Sequence, residues 1–389
     1  AFESVGGQVQ CVKALTTRSM SGGAADYSLA ALNTMLIIDE VMAALRTAPD
    51  GHERRLVLVS SGAVAAGRAV LRAHGHSGET SGLSARQAAA AVGQGQLMRA
   101  WDEVFRAYDF PTSQVLLTRD DLRARQRFLN ARNTFAELMD WGVLPIVNEN
   151  DTVSVSELKF GDNDCLASLL VNLIGADLYI NLTSAPGVYA ANPQEVPDAG
   201  ILECVEDVAG LDLGRMCGGK TSVGTGGMYS KLQAARRAAQ LGVPTLILPG
   251  READVLARAF AGEAVGTWVR PEEHAIPRRK FWLAYQSDPA GTVLVDAGAA
   301  EALLSKGSSL LPGGVRQVLG NFQKGALVRV ARLGESDGHA SLGVGLSNYS
   351  AADLRKIMGL RRHEVAAILG DAHYPEVIHR DNLLMDAAI

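Results

Sequence analysis

Leu56 to Gly67 reads LVLVSSGAVAAG. Its first half is an unbroken run of leucine and valine, the composition of a strand buried on both faces. Its second half is serine, glycine and alanine, small enough to turn tightly and open a helix. A buried strand feeding a helix in this way suits an open α/β sheet, where ligands sit beyond the carboxyl ends of strands and helix N-termini offer free N–H groups to anions. Ser60, Ser61 and Gly62 occupy that edge. On this segment alone, a turn whose small residues simply let a helix pack on its sheet is an equally good reading.

Further along the chain the same alternation continues. Val115–Leu117, Val143–Asn148, Leu178–Leu182 and Val243–Leu248 read as strands, and Ser84–Tyr108, Arg125–Trp141, Asp164–Gly175 and Met228–Leu241 have helical spacing. Strands alternating with helices predict an α/β fold, a three-layer αβα sandwich with a mainly parallel central sheet. At residues 271–279 the sequence PEEHAIPRR concentrates charge and proline, the composition of an interdomain linker. The expected division is therefore a domain over 1–270, a linker over 271–279 and a small β-rich domain over 280–389. In the latter, Thr292–Asp296, Ala326–Arg332 and Ser341–Leu346 read as strands, with helical patches at Ala299–Ser305 and Ala351–Met358.

Composition narrows the function classes. With 47% hydrophobic residues, 20% charged residues and a formal net charge of −5, the chain is neither disordered nor an overall basic nucleic-acid binder. Cys11, Cys165, Cys204 and Cys217 form no CxxC pair, so neither a zinc site nor a disulfide framework is indicated, and a reducing cytoplasm is expected. The longest apolar run, Cys165 to Ala176, is shorter than the ~20 residues that span a bilayer. Neither a transmembrane segment nor a signal peptide is expected.

Other segments carry candidate chemistry. VLPIVNENDTV (Val143–Val153) ends a strand on Asn148, Glu149, Asn150 and Asp151, and FGDNDCLA (Phe160–Ala167) follows. Helix capping accounts for Asp162 or Asp164 but not for the whole set, which suits an amino or metal-bearing ligand. GTGGMYSK (Gly224–Lys231) places glycines and hydroxyls ahead of a helix and a lysine about one turn inside it. Such N–H groups can cradle phosphates while the lysine neutralises charge, although a plain linker before a surface helix would look the same. The spacing is not that of a Walker A loop. HRD at His379–Asp381 lacks the DFG, APE and VAIK-like companions of a protein kinase, and His74 and His76 read as solvated loop residues. Of the lysines, Lys159, Lys220 and Lys231 are placed best for phosphates, with Lys159 read as an ordinary surface residue.

Taken in order, SSGAVAAG, LLTRDDLRARQRFLNARNTF (Leu116–Phe135), VNENDTVS, FGDNDCLA and GTGGMYSKLQAA resemble the glutamate 5-kinases of the amino acid kinase family. GSSLLPGGV (Gly307–Val315) and HRDNL extend the likeness into a tail similar to a PUA domain. The resemblance implies ATP-dependent phosphorylation of the γ-carboxylate of L-glutamate to γ-glutamyl phosphate, the first step of proline biosynthesis. ATP and Mg2+ are the implied cofactors, with Mg2+ bridging the phosphates and no metal ligand assigned to the protein. By matching motifs, Lys13, Lys231 and Asp164 would be catalytic, Lys231 stabilising the transferring phosphoryl group and Asp164 orienting the lysines. Ser61, Gly62, Asp151, Asp162 and Asn163 would hold glutamate, with Asp151 the partner of its α-ammonium group. Lys13, Thr183, Ser184, Thr225, Gly226, Gly227, Met228, Tyr229, Ser230 and Lys231 would line the nucleotide site. Also implied are a cytoplasmic, membrane-free enzyme, a dimer or tetramer, and proline as feedback inhibitor, for which Thr152–Phe160 is the expected loop.

The sequence departs from the family pattern in two places. CVKALTT (Cys11–Thr17) keeps Lys13 but has Leu15 where the K-x-G-[TS]-like motif has glycine, and LTSAPGVY (Leu182–Tyr189) has Ser184 where aspartate is usual. These departures motivate a rival reading, a catalytically impaired relative acting as a glutamate-binding or regulatory subunit. A second rival is RNA binding through the PUA-like tail, which carries Arg316, Lys324, Arg329, Arg332, Arg355, Lys356, Arg361 and Arg362. Acetylglutamate, aspartate and uridylate kinases share the fold, but SSGAVAAG, FLNARNTF and the tail favour glutamate.

Overall fold

The valine- and leucine-rich runs collect into one eight-stranded sheet. In the computed structural model, residues 10–15, 54–77, 81–154, 163–217, 227–286, 288–334, 341–369 and 374–385 are described, 10–15 by backbone alone. The strands of the first unit are β1 (Gln10–Leu15), β2 (Arg55–Ser60), β3 (Thr112–Leu117), β4 (Leu144–Glu149), β5 (Leu178–Thr183), β6 (Val188–Tyr189), β7 (Ile201–Leu202), β8 (Cys204–Val205), β9 (Thr245–Pro249) and β10 (Thr267–Val269). Across the sheet they run β3-β4-β2-β1-β5-β9-β10-β8, with β6 and β7 paired apart. Pairing is parallel from β3 to β9, and β10 closes antiparallel on β9. The expected mainly parallel sheet is present; its antiparallel edge uses strands too short to leave a periodic signal.

Strand β1 lies at the centre, with Leu15 level with Ser60 on one side and Leu182 on the other. From β1 the chain adds β2 beside it, runs to the outer edge as β3, fills the place between them with β4, and then crosses to put β5 on the opposite flank of β1. The strand order thus reverses around β1, the kind of switch point that opens a crevice beyond the carboxyl ends of a parallel sheet.

Helices cover both faces. They are α1 (Ala63–Ala73), α2 (Leu83–Arg106), α3 (Arg119–Arg123), α4 (Arg125–Asp140), α5 (Asn163–Ile174), α6 (Leu213–Cys217), α7 (Met228–Gln240) and α8 (Val255–Phe260). One core joins Leu58, Ile146, Ile180, Leu182 and Leu248 of the sheet to Ala63, Ala90, Trp101 and Phe105 of α1 and α2, and to Val255 and Leu256 of α8. A second joins Ile247 and Val269 to Leu232 and Ala235 of α7. Because successive strand side chains alternate, Ile180 and Leu182 in the first core leave Tyr179, Asn181 and Thr183 on the face toward α5 and α7.

Glycine sets how closely α1 and α2 approach. A Cβ on Gly67 would stand 1.8 Å from the Ala89 carbonyl oxygen, and one on Gly93 would stand 1.9 Å from that of Ala63. The small residues of SSGAVAAG therefore do serve helix packing, and the same tight crossing fixes the turn at Ser61 and Gly62.

The chain divides after Ala275. The second unit contains β11 (Gly291–Val295), β12 (Val315–Gly320), β13 (Leu327–Arg332), β14 (Ser341–Leu346) and β15 (Leu383–Met385) in the order β12-β11-β13-β14-β15. Its helices are α9 (Arg278–Gln286), α10 (Ala297–Lys306), α11 (Ala351–Ile357) and α12 (Arg362–Leu369). Val293, Val295, Leu303, Val328, Leu354 and Ile378 belong to a core of its own. Helix α9 begins inside the stretch read as a linker. Pro277 directly precedes it and accepts the Phe281 N–H at 3.1 Å, so a residue suggestive of a linker in sequence serves here as a helix start. His379–Asp381 forms a short turn into β15, with the Asp381 N–H donating to His379 Nδ1 at 3.3 Å, far in character from a catalytic loop.

Candidate active site

Two consecutive residues in the first turn of α5 point into different halves of one site. Asn163 reaches toward β2 and β4, and Asp164 reaches toward β5 and α7. Asp162 lies outside the described residues, and the Asp164 carboxylate accepts from side chains and not from the first N–H groups of its helix.

Asp164 is fully buried and accepts from Lys231 Nζ at 2.9 and 3.1 Å. Lys231 sits in the first turn of α7 after its N-cap Gly227, and its side chain is turned inward and only 5% exposed. Ser230 Oγ donates to Asp164 Oδ2 at 2.9 Å, and Asn181 Nδ2 donates to Oδ1 at 2.9 Å. Taking two charges out of water is costly unless they are paired and their remaining valences are filled. Here the pairing is close to complete on the carboxylate side, which makes Asp164 a rigid acceptor and Lys231 a cation of fixed direction.

In the other half, Asn163 Nδ2 donates to Ser61 Oγ and, at 3.0 Å, to Asn148 Oδ1. Asn148 Nδ2 in turn donates to Gln94 Oε1 of α2 at 2.9 Å, and its Oδ1 also takes the Glu149 N–H. Beside it, Ser154 Oγ donates to Glu149 Oε1 at 2.6 Å, and Gln87 Nε2 donates to the Ser154 carbonyl at 3.0 Å. Trp101 Nε1 donates to Ser60 Oγ at 2.9 Å, tying the end of β2 to α2. Gly62 then turns the chain at φ 127°, a conformation open to glycine, and α1 begins without a side-chain cap, so its first N–H groups are left for an anion.

The expected residues fall as follows. Ser61, Asn163, Asp164, Ser230 and Lys231 are brought together through α5. Lys13 lies on β1 between Leu58 and Ile180, with its side chain outside the description. Asp151 follows β4 in a turn whose N–H donates to the Glu149 carbonyl. Thr183 is buried at the end of β5, where its carbonyl accepts from Gly250 N–H at 2.7 Å, and Ser184 beyond it is exposed. Met228 packs on the apolar cluster under α7, whereas Tyr229 is exposed. Thr225, Gly226, Lys159, Lys220 and residues 155–160 lie outside the described residues. Sequence reasoning missed Asn181 and Gln94. A lone amide inside the apolar run LYINLT was the available signal for Asn181; Gln94, on a long helix, left none.

Among the described residues, no group of three or more histidine, cysteine or acidic side chains could hold a metal ion, and no helix is long and apolar enough to cross a membrane. Residues 11–249 match the Amino acid kinase family and residues 291–369 match the PUA domain. Among curated relatives, glutamate 5-kinase of Nitratidesulfovibrio vulgaris is 65% identical over 91% of both chains. That of Oleidesulfovibrio alaskensis is 61% identical over 91% of both, and that of Geobacter sulfurreducens is 48% identical over 85% of this chain and 87% of its own. Among solved structures, carbamate kinase from Giardia lamblia bound to AMP-PNP aligns with a TM-score of 0.48 at 18% identity, over 68% of this chain and 99% of that one.

Proposed function

The chain belongs to the amino acid kinase family, and from that premise we propose that it transfers the γ-phosphoryl group of ATP to the γ-carboxylate of L-glutamate. The observation that carries this reading is the first turn of α5, where Asn163 ties in Ser61 and Asp164 ties in Lys231. Relatives named glutamate 5-kinase at 65% and 61% identity over most of both chains support the choice of acceptor.

A γ-carboxylate is already ionised at neutral pH, so no general base is required. A carboxylate oxygen attacks the γ-phosphorus, the bond to the bridging oxygen breaks, and ADP leaves. Such a transfer is catalysed chiefly by alignment and by neutralising charge on the transferring group. In this reading Lys231 supplies the positive charge, held in direction by Asp164, and the N-termini of α1 and α7 supply N–H groups to the reacting anions. Ser61 and Asn163 hold glutamate, with Asp151 beyond β4 as the partner of its ammonium group. Thr183 and the segment from Gly227 to Lys231 face the nucleotide.

The described side chains do not fit a protein-bound Mg2+. Asp164, the carboxylate at the heart of the site, already accepts from Lys231, Ser230 and Asn181. Mg2+ is therefore expected to arrive on the nucleotide phosphates, where it supplies further charge neutralisation. We extend the proposal to inhibition by proline. A pocket of about 290 Å3 lined by Thr118, Asp121, Arg127, Asn150 and Ser154 opens next to the loop that begins at Thr152. A cytoplasmic homo-oligomer remains the expected setting.

The test is ADP release from Mg-ATP with L-glutamate, compared with D-glutamate, aspartate and N-acetylglutamate. Turnover specific to L-glutamate and lost in Lys231→Ala is the expected result. Saturable glutamate binding without turnover would instead favour the binding-subunit reading that Leu15 and Ser184 suggest. The intact Lys231–Asp164 pair argues against that outcome.

A further inference from the structure

Strand β5 is buried along its whole length, and in a parallel strand covered on both faces such positions are ordinarily apolar. Tyr179 and Asn181 break that rule on one face, and both are fully buried. Asn181 Nδ2 has two protons. One goes to Asp164 Oδ1 at 2.9 Å and the other to the Tyr179 hydroxyl oxygen at 3.0 Å. This assignment fixes the amide orientation, because the reverse would set its carbonyl oxygen against a carboxylate. Asn181 Oδ1 then has no hydrogen-bond partner among the described residues. A buried acceptor left unmade is a cost to stability that an apolar side chain would avoid.

A fully buried amide in a strand covered on both faces, with both protons used and one of them on Asp164, points to a role in the site. We propose that Asn181 is a positioning residue for phosphoryl transfer. It anchors Oδ1 of Asp164 while Ser230 anchors Oδ2, so the carboxylate plane, and with it the direction of the Lys231 ammonium, is fixed before substrates bind. Tyr179 holds Asn181 in that rotamer from the same face of β5. Asn181 touches no substrate and acts only through Asp164. Its effect should therefore appear in the chemical step and not in binding, the pattern of an interaction that matters in the transition state. The proposal rests on the kinase reading given above.

The experiment compares the wild type with Asn181→Leu, which removes the donor and the orphan oxygen together while keeping the same branched heavy-atom skeleton. Wild-type turnover is measured first, because its absence would fail the kinase reading itself and leave this one without an object. Given turnover, Asn181→Leu is expected to lower kcat at least tenfold, leave KM for glutamate and ATP within threefold, and hold or raise the thermal midpoint. A kcat within twofold of wild type overturns the proposal. So does a loss of kcat accompanied by a fall in thermal midpoint, which would assign Asn181 to maintaining the fold. A change confined to KM overturns it as well. If leucine cannot be accommodated, Asn181→Ala is judged by the same limits on kcat and KM, because the cavity it leaves lowers the thermal midpoint in any case. Tyr179→Phe, with Asn181 retained, is expected to give a smaller loss of kcat in the same direction; no loss there would remove Tyr179 from the arrangement.

Discussion

At Lys231 and Asp164, stability and catalysis make separate demands on the same atoms. Replacing Lys231 by alanine removes the cation that faces the phosphoryl group, and a loss of about 10²–10³ in kcat is expected, as for loss of one preorganised donor to developing charge. Asp164→Ala leaves the 5%-exposed Lys231 side chain without its carboxylate. Breaking a buried pair from one side costs about 3–5 kcal/mol, which denaturant unfolding would register as a lower midpoint. The double variant Asp164→Leu with Lys231→Met should recover much of that stability and none of the turnover. If the double variant were as unstable as the single one, the cost would lie in packing and not in the orphaned charge. Ser61→Ala, which removes the hydroxyl that meets Asn163, is expected to raise KM for glutamate with the fold intact.

The sequence disclosed some of these residues and hid others for a physical reason. Ser61, Asn163, Asp164 and Lys231 stand beside strand ends or helix starts, where small or polar residues announce a turn. Asn181 stands in mid-strand. There a single amide among apolar neighbours reads as noise until the face it occupies and the carboxylate opposite it are known.

On the scale of elements, the crossing of α1 and α2 governs the glutamate half of the site. Gly93→Ala would drive a Cβ to 1.9 Å from the Ala63 carbonyl oxygen, a contact with backbone that no rotamer change can relieve. Overpacking of this kind costs about 1–3 kcal/mol. Because Ala63 opens α1 directly after Gly62, the helix shift should also raise KM for glutamate, measurable beside the thermal midpoint. Retention of both values in Gly93→Ala would mean that the helices can separate without disturbing Ser61. The long strands and helices were legible because their apolar period is a local property. The short strands β8 and β10 at the antiparallel end of the sheet were not, since strands of two or three residues are defined by their partners and carry no period of their own. The start of α9 was obscured by Pro277, a residue that suits both a linker and the beginning of a helix.

The molecule as a whole consists of two units with separate cores, divided after Ala275, and every described residue of the candidate site belongs to the first. A fragment of residues 276–389 is therefore expected to unfold cooperatively on its own. A fragment ending at Ala275 is expected to retain turnover that depends on L-glutamate. Circular dichroism melts and the ADP-release assay check these outcomes, and a second fragment without a cooperative transition would show that its core is insufficient alone.

The sequence by itself determined the alternation of strands and helices, the presence of a second β-rich unit and the motifs gathered beyond the carboxyl ends of the sheet. Apolar spacing, turn chemistry and the order of motifs are written along the chain and need no long-range contact to be read. Only the tertiary structure decided which of those groups meet. Lys231 and Asp164 are 67 residues apart and become neighbours because α5 and α7 lie side by side on one face of the sheet. Asn181 joins them because the alternation of β5 turns it toward that face. Such encounters depend on strand order and helix packing together, and neither is a property of any single segment.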